Sequence, residues 1–191
     1  KTLRQIGELE TWITHNNTLM NDWGMGKKIK PGFRALFYGP PGTGKSGLAC
    51  SLLRQACFNG YRCRFYDAQA LLDELYASLA DRSTPRLLKR LSNYDALLVD
   101  EIGYLTLRPE QVNAFFKLME LRYARKATIL TTNLDYPEWY DLFKRKPLVD
   151  ALLDRLRHHC ITVRINGPSL RVPEQQPDQP AQDTPSEPQE H

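Results

Sequence analysis

The chain has 191 residues, 41% hydrophobic and 25% charged, and a formal net charge of +4. That length favours one globular domain with appendages and suffices for a sizeable core, while apolar runs such as Ala96-Leu97-Leu98-Val99 are far too short to cross a bilayer. Cys50, Cys57, Cys63 and Cys160 form no C-x-x-C pair and have no histidine at zinc spacing, which argues against a disulfide scaffold or a zinc module and for the thiol usage of a reducing cytosol.

The charge is unevenly placed. After Val172 come Glu174, Asp178, Asp183, Glu187 and Glu190 with no Lys or Arg, so residues 1–172 carry +9. A basic body suggests a polyanionic partner, although charge alone is equally compatible with a protein that is merely basic.

Residues 1–32 form a first segment. Leu3, Ile6, Leu9 and Ile13 fall near helical spacing, Asn16-Asn17 marks a break, and Lys27-Lys28-Ile29-Lys30-Pro31-Gly32 is a basic linker. The ordered domain is expected over 33–172. Ala35–Tyr38 predicts a short buried strand. It leads into Gly39, Pro40, Pro41, Gly42, Thr43, Gly44, Lys45 and Ser46, and Gly47 opens a helix that ends near Asn59-Gly60. The spacing is G-x-x-x-x-G-K-S, between a strand and a helix. Glycines let backbone N–H groups wrap a phosphate and the helix start adds its positive end. Lys45 would sit on the β- and γ-phosphates of ATP and the Ser46 hydroxyl on Mg²⁺.

Tyr61–Tyr66 alternates as a second strand. Asp67 is placed to cap a helix over 68–80 with Leu71, Leu72, Leu75 and Leu79 on its apolar face. Pro85 suits the first turn of another helix, with Leu87, Leu88 and Leu91 inward and Arg86, Lys89 and Arg90 outward. A helical pair is therefore expected between strands 2 and 3. Cys50 and Cys57, seven apart on one helix, are expected in or near the core. Asp95–Val99 is an apolar strand ending in Asp100 and Glu101. Downstream of Lys45-Ser46, Asp100 is a candidate for the Mg²⁺ shell and Glu101 for orienting the attacking water.

Pro109 starts a helix to about Arg125, with Phe115 and Phe116 read as core rather than as a stacking platform. Ala127–Thr132 is another buried strand. At its tip Asn133 is either a hydrogen-bond donor to the γ-phosphate or the water, or a turn residue. A helical stretch opens at Tyr136–Tyr140, a helix follows over 148–158, and a last strand runs over 160–165. His158 and His159 are adjacent and suit surface or structural roles better than metal binding. Residues 173–191 are Pro, Gln and acid and are expected to be disordered. Alternating strands and helices with apolar strand runs predict an α/β fold, a parallel sheet covered by helices on both faces. Gly39–Ser46, Asp100, Glu101 and Asn133 all follow strand ends, as one site requires.

With these elements placed, the chain resembles the IstB/DnaC-like branch of the AAA+ ATPases over about 33–171. The carriers are Gly39–Ser46, the phrase Asn93–Leu105, the run Thr131-Thr132-Asn133-Leu134, Leu153–His159 and Gly167-Pro168-Ser169-Leu170-Arg171. The resemblance implies Walker A at Lys45 and Ser46, Walker B at Asp100 and Glu101, sensor 1 at Asn133, and at Arg155 an arginine finger acting on a neighbour's ATP. Residues 67–93 resemble the initiator-specific insertion that lines the DNA path in this clade. Arg82, Arg86, Lys89 and Arg90 are the candidate phosphate contacts, and a solvated helix face is the alternative for them. The family consists of helicase loaders and transposition helper ATPases that assemble as spirals or rings on DNA. The expected function is therefore an ATP-dependent, Mg²⁺-dependent helper to a transposase that oligomerises on duplex DNA in the cytoplasm. A loader of a replicative helicase is the alternative, and a nucleotide-gated module without turnover is a third reading. Ser46-Gly47 departs from the Thr-His that many members carry. Set against the resemblance, the usual separate N-terminal domain is expected to be missing or reduced to about thirty residues, and Arg164 and Arg171 are weak candidates for sensor 2.

Overall fold

The computed structural model describes residues 2–17, 33–103 and 105–170. The basic linker, Arg171 and the acidic tail lie outside them. Five strands form one sheet, in the order β2-β3-β4-β1-β5 and parallel throughout. They are β1 (Arg34–Tyr38), β2 (Cys63–Asp67), β3 (Ala96–Ile102), β4 (Ala127–Thr132) and β5 (Ile161–Arg164). Every residue of β4, in the middle of the sheet, is buried. That is the physical basis of its unbroken apolar and threonine run.

Helices α1 (Thr2–Asn17) and α2 (Lys45–Phe58) cover one face. Leu9, Phe37, Ala49, Leu52, Leu98, Ile129 and Val163 form the core there. The other face carries α3 (Ala68–Ala80), α4 (Thr84–Ser92), α5 (Pro109–Arg122), α6 (Glu138–Phe143) and α7 (Lys146–His159). Its core includes Leu71, Leu75, Leu91, Leu97, Val99, Leu118 and Trp139. Phe115 and Phe116 sit in this layer, with the Phe143 ring stacked 5.8 Å from Phe115. They are core residues, as their spacing predicts.

Local chemistry sets several boundaries. Asp67 accepts the Ala70 N–H at 3.0 Å and caps α3. Pro85 and Pro109 occupy first turns, where a missing N–H costs nothing. On α1, Gln5 donates to the Thr162 carbonyl at 2.9 Å. The helix is thus docked on the edge strand β5, with Leu9 fully buried beneath it.

Three expectations are corrected. Leu79 is 41% exposed, and Ser78 turns inward instead, its hydroxyl donating to the Leu75 carbonyl. Cys50 and Cys57 are exposed, because the buried stripe of α2 is Ala49, Leu52, Leu53 and Ala56. The helix from Pro109 ends at Arg122 rather than Arg125. Arg122 is 1% exposed and takes its place in the core through hydrogen bonds that composition does not reveal. Burial pushes the Cys160 thiol up to about 12, so it stays an inert thiol at neutral pH.

Candidate nucleotide-binding site

β1 ends at Tyr38 and the chain turns at once into the glycine-rich loop. The Gly39 N–H donates to the Thr132 carbonyl at 3.3 Å, which ties the root of the loop to the tip of β4. The Thr43 hydroxyl donates to the Pro40 carbonyl at 2.8 Å, and the Lys45 Nζ donates to the same carbonyl at 3.5 Å. Lys45 is only 7% exposed, so its ammonium is held inside the loop. Helix α2 starts at Lys45 directly after Gly44 (φ +83°), with no side-chain cap and no acid in its first turn. Its first N–H groups have no intrahelical acceptor, and nothing of opposite preference competes for them. The arrangement suits an anion.

Asp100 and Glu101 reach the same edge by a different device. Strand β3 does not stop at the acids but continues to Ile102, and its register with β4 shifts between Val99 and Ile102. Three steps on β3 match two on β4, so the acids occupy a β-bulge. Glu101 has φ +62°, a left-handed conformation that is costly for a residue with a Cβ. Thr131 holds the bulge together. Its hydroxyl donates to Asp100 Oδ1 and accepts the Glu101 N–H at 2.9 Å. Asp100 is buried and Glu101 exposed.

Thr132 repeats the pattern one residue on, donating to the Ile102 carbonyl and accepting the Leu134 N–H at 3.0 Å. Asn133 follows. Its Oδ1 stands 2.1 Å from where a Cβ at position 103 would be, so any larger residue there would displace the Asn133 side chain. Because β4 lies between β3 and β1, the loop, Thr131 to Asn133, and Asp100-Glu101 form one row along the carboxyl edge of the sheet. The roles of Thr131 and Thr132 escape a motif reading. The available signal is two hydroxyls at the end of a fully buried strand, where each needs a partner.

Other predicted residues lie elsewhere. Arg155 is at the opposite end of the strands. Its guanidinium sits 4.9 Å above the Tyr123 ring, and Arg34, the first residue of β1, lies 4.4 Å from the same ring. It is therefore remote from its own subunit's loop. Arg82, Arg86, Lys89 and Arg90 cluster around the α3–α4 turn and along α4. Arg90 pairs with Glu74, whose other oxygen accepts the Tyr66 hydroxyl at 2.6 Å. A groove of about 630 Å³ runs between Gly103, Leu107, Val112, Leu134 and Phe143, and none of its lining comes from the glycine-rich loop.

Among the described residues no cluster of three His, Cys, Asp or Glu could hold a metal by itself. Ser46 and Asp100 offer a hydroxyl and a carboxylate, hard oxygen donors that fit Mg²⁺ completed by phosphates and water. Also among the described residues, no helix is long and apolar enough to cross a membrane.

A family model described as IstB-like ATP binding protein matches residues 34–177. The putative ATP-binding protein of insertion sequence IS232 from Bacillus thuringiensis subsp. berliner is 37% identical over 137 residues, 72% of this chain and 55% of that relative. The corresponding protein of insertion sequence IS21 from Pseudomonas aeruginosa is 37% identical over 139 residues, 73% of this chain and 52% of that relative. The chain thus spans about half the length of the curated relatives it matches. Among solved structures, the DnaC helicase loader superposes with a TM-score of 0.61 at 24% identity, covering 80% of this chain and 90% of that one. The five-stranded parallel sheet is the AAA+ P-loop NTPase arrangement. The loop on β1, the acid pair on β3, the polar tip of β4 and the match over 34–177 together place this chain in the family of IstB-like ATP binding proteins.

Proposed function

We propose that the protein is an ATPase that binds DNA, oligomerises on it and assists a transposase. One observation carries the reading: three sequence-distant segments, 39–46, 100–101 and 131–133, meet at one carboxyl edge of the sheet. Their chemistry is complementary to a nucleoside triphosphate. The loop N–H groups and Lys45 bind phosphate oxygens. Glu101, exposed at the bulge, orients a water, and Asn133 hydrogen-bonds that water or the γ-phosphate. Asp100 and Ser46 would hold Mg²⁺, which when bound neutralises charge developing on the phosphates. The relation to insertion-sequence proteins supports the transposase as partner.

Arg155 fits this scheme as a finger for a neighbour's site, since it cannot reach its own loop. Such a residue contributes ~10³–10⁵ in rate, so an isolated subunit would hydrolyse slowly. Steady-state hydrolysis across protein concentrations, with and without DNA, tests the proposal. Turnover per subunit should rise with concentration and with duplex DNA. Stimulation chiefly by single strands would favour a helicase loader, and indifference to both variables would remove assembly on DNA.

Nucleotide binding has its own test. ATP at one hundred times its dissociation constant should stabilise the parent by about 2.7 kcal/mol in a thermal melt. Lys45→Ala is expected to abolish that shift, and a shift of the parental size would exclude Lys45 from the cradle.

We place the DNA contacts at Arg82, Arg86, Lys89 and Arg90, on the α3–α4 pair whose sequence resembles the initiator-specific insertion. The Arg90 side chain remains 57% exposed beside Glu74 and is accessible to a phosphate. Charge reversal at Arg86 and Arg90 is expected to weaken DNA binding and to flatten the salt dependence by about 0.9 per lost phosphate contact in log–log slope. An unaltered slope would return α4 to a solvated face.

A further inference from the structure

Residues 165–170, which follow β5, run alongside the glycine-rich loop. The Ile165 N–H donates to the Tyr38 carbonyl at 2.8 Å, immediately before the loop. The Ile165 carbonyl then lies against Gly39, Ser169 against Gly42 and the Leu170 side chain against Gly44. The Leu170 N–H donates to the Gly42 carbonyl at 2.8 Å. The segment is thus fastened at both ends of the turn it accompanies.

We infer that residues 165–170 are a brace that positions the nucleotide cradle, with the Leu170 main-chain N–H and Ser169 as its positioning groups. The inference rests on reading the loop as that cradle. In a trans peptide the C=O and the next N–H point in opposite directions. Holding the Gly42 carbonyl toward residue 170 therefore turns the Thr43 N–H the other way. An anion-binding loop needs N–H groups turned inward, and the outward Gly42 carbonyl serves that end at Thr43. Gly42 itself has φ +80°, and the Ser169 Oγ stands 2.2 Å from where its Cβ would be. Glycine is required at 42 by the brace behind the loop as well as by any phosphate in front of it. A main-chain donor does this work, so no side-chain motif announces it.

The test compares Leu170→Pro, which removes the donor, with Leu170→Ala, which keeps it, in the full chain. Leu170 is 73% exposed, so neither change empties the core. Two quantities are read: amide hydrogen exchange of peptides covering 39–46 without nucleotide, and the dissociation constant for a fluorescent ATP analogue. The loss of one hydrogen bond predicts loop exchange ~3–10-fold faster and analogue binding ~3–10-fold weaker for Leu170→Pro, with Leu170→Ala within about two-fold of the parent. Exchange in α5 should match the parent in both. If Leu170→Pro disturbs α5, Ser169→Val takes its place, because it crowds Gly42 while keeping the Leu170 N–H, and it should shift loop and affinity the same way. Parental exchange and affinity in the decisive variant would overturn the brace. Tighter binding would also overturn it, in favour of a strap that occludes the site. A parent that fails to bind the analogue would instead refute the nucleotide reading, and the exchange arm would still decide the brace.

Discussion

Glu101→Gln is expected to leave ATP binding within a few-fold of the parent and to cut steady-state turnover by ~10²–10³, within the range of a positioned general base. The isosteric amide keeps the size of the side chain and the backbone N–H on Thr131. It loses only the charge and basicity that would polarise a water. The contrast with Asp100 sharpens the expectation. Asp100 is buried and bonded to Thr131, so its replacement would disturb the bulge together with the proposed Mg²⁺ site. Glu101 is exposed and its side chain is committed to no neighbour among the described contacts. Turnover and analogue binding measured on the same preparation separate the two effects. A variant that turns over like the parent would remove Glu101 from the chemistry. A parent with no turnover at all would point to a nucleotide-gated interaction module.

Arg122→Met is expected to destabilise the fold by ~2–4 kcal/mol, because it strands buried hydrogen-bond acceptors. Arg122 is 1% exposed. Its guanidinium donates to the Leu91 carbonyl at 2.7 Å, the Tyr94 carbonyl at 2.9 Å, the Thr128 hydroxyl at 3.1 Å and the Ala127 carbonyl. It thereby joins the end of α4, the approach to β3 and the start of β4. Burial pulls its pKa down to about 10, helped back only by Asp95, so it remains a cation at neutral pH. Methionine fills similar space and removes the cost of burying a charge, yet it leaves three carbonyls without donors. For a chain of this size the loss corresponds to a melting point lower by roughly 10 °C. Arg122→Lys should recover little, because a single ammonium cannot reach acceptors arranged around a planar fork. A melt within about 2 °C of the parent would show that the acceptors find other partners.

Much of the fold is legible along the chain because it rests on local chemistry. The apolar runs at 35–38, 96–99 and 127–130 are buried strands, since a parallel sheet is covered on both faces and tolerates no alternation. Asp67, Pro85 and Pro109 mark helix starts through caps and fixed φ, interactions that span three or four residues. The errors come where a polar side chain finds a hydrogen-bond partner inside. Ser78 displaces Leu79 from the inner face of α3, with a hydroxyl contact to Thr84 at 2.9 Å. Arg122 enters the core because carbonyls from three other segments wait there. Apolar-face counting ranks both residues as surface.

The glycine-loop spacing, the order of strands and helices and the acid pair that follows an apolar strand are all legible along the chain. Each is written in contiguous residues, and backbone sterics and burial act on them directly. Strand pairing and packing were needed to show that Thr131 locks both acids into a bulge, that Arg155 lies at the far end of the sheet from its own loop, and that residues 165–170 lie against Gly42. These features depend on hydrogen bonds and a cation–ring contact between segments 30 to 130 residues apart, whose geometry exists only once the strands have paired.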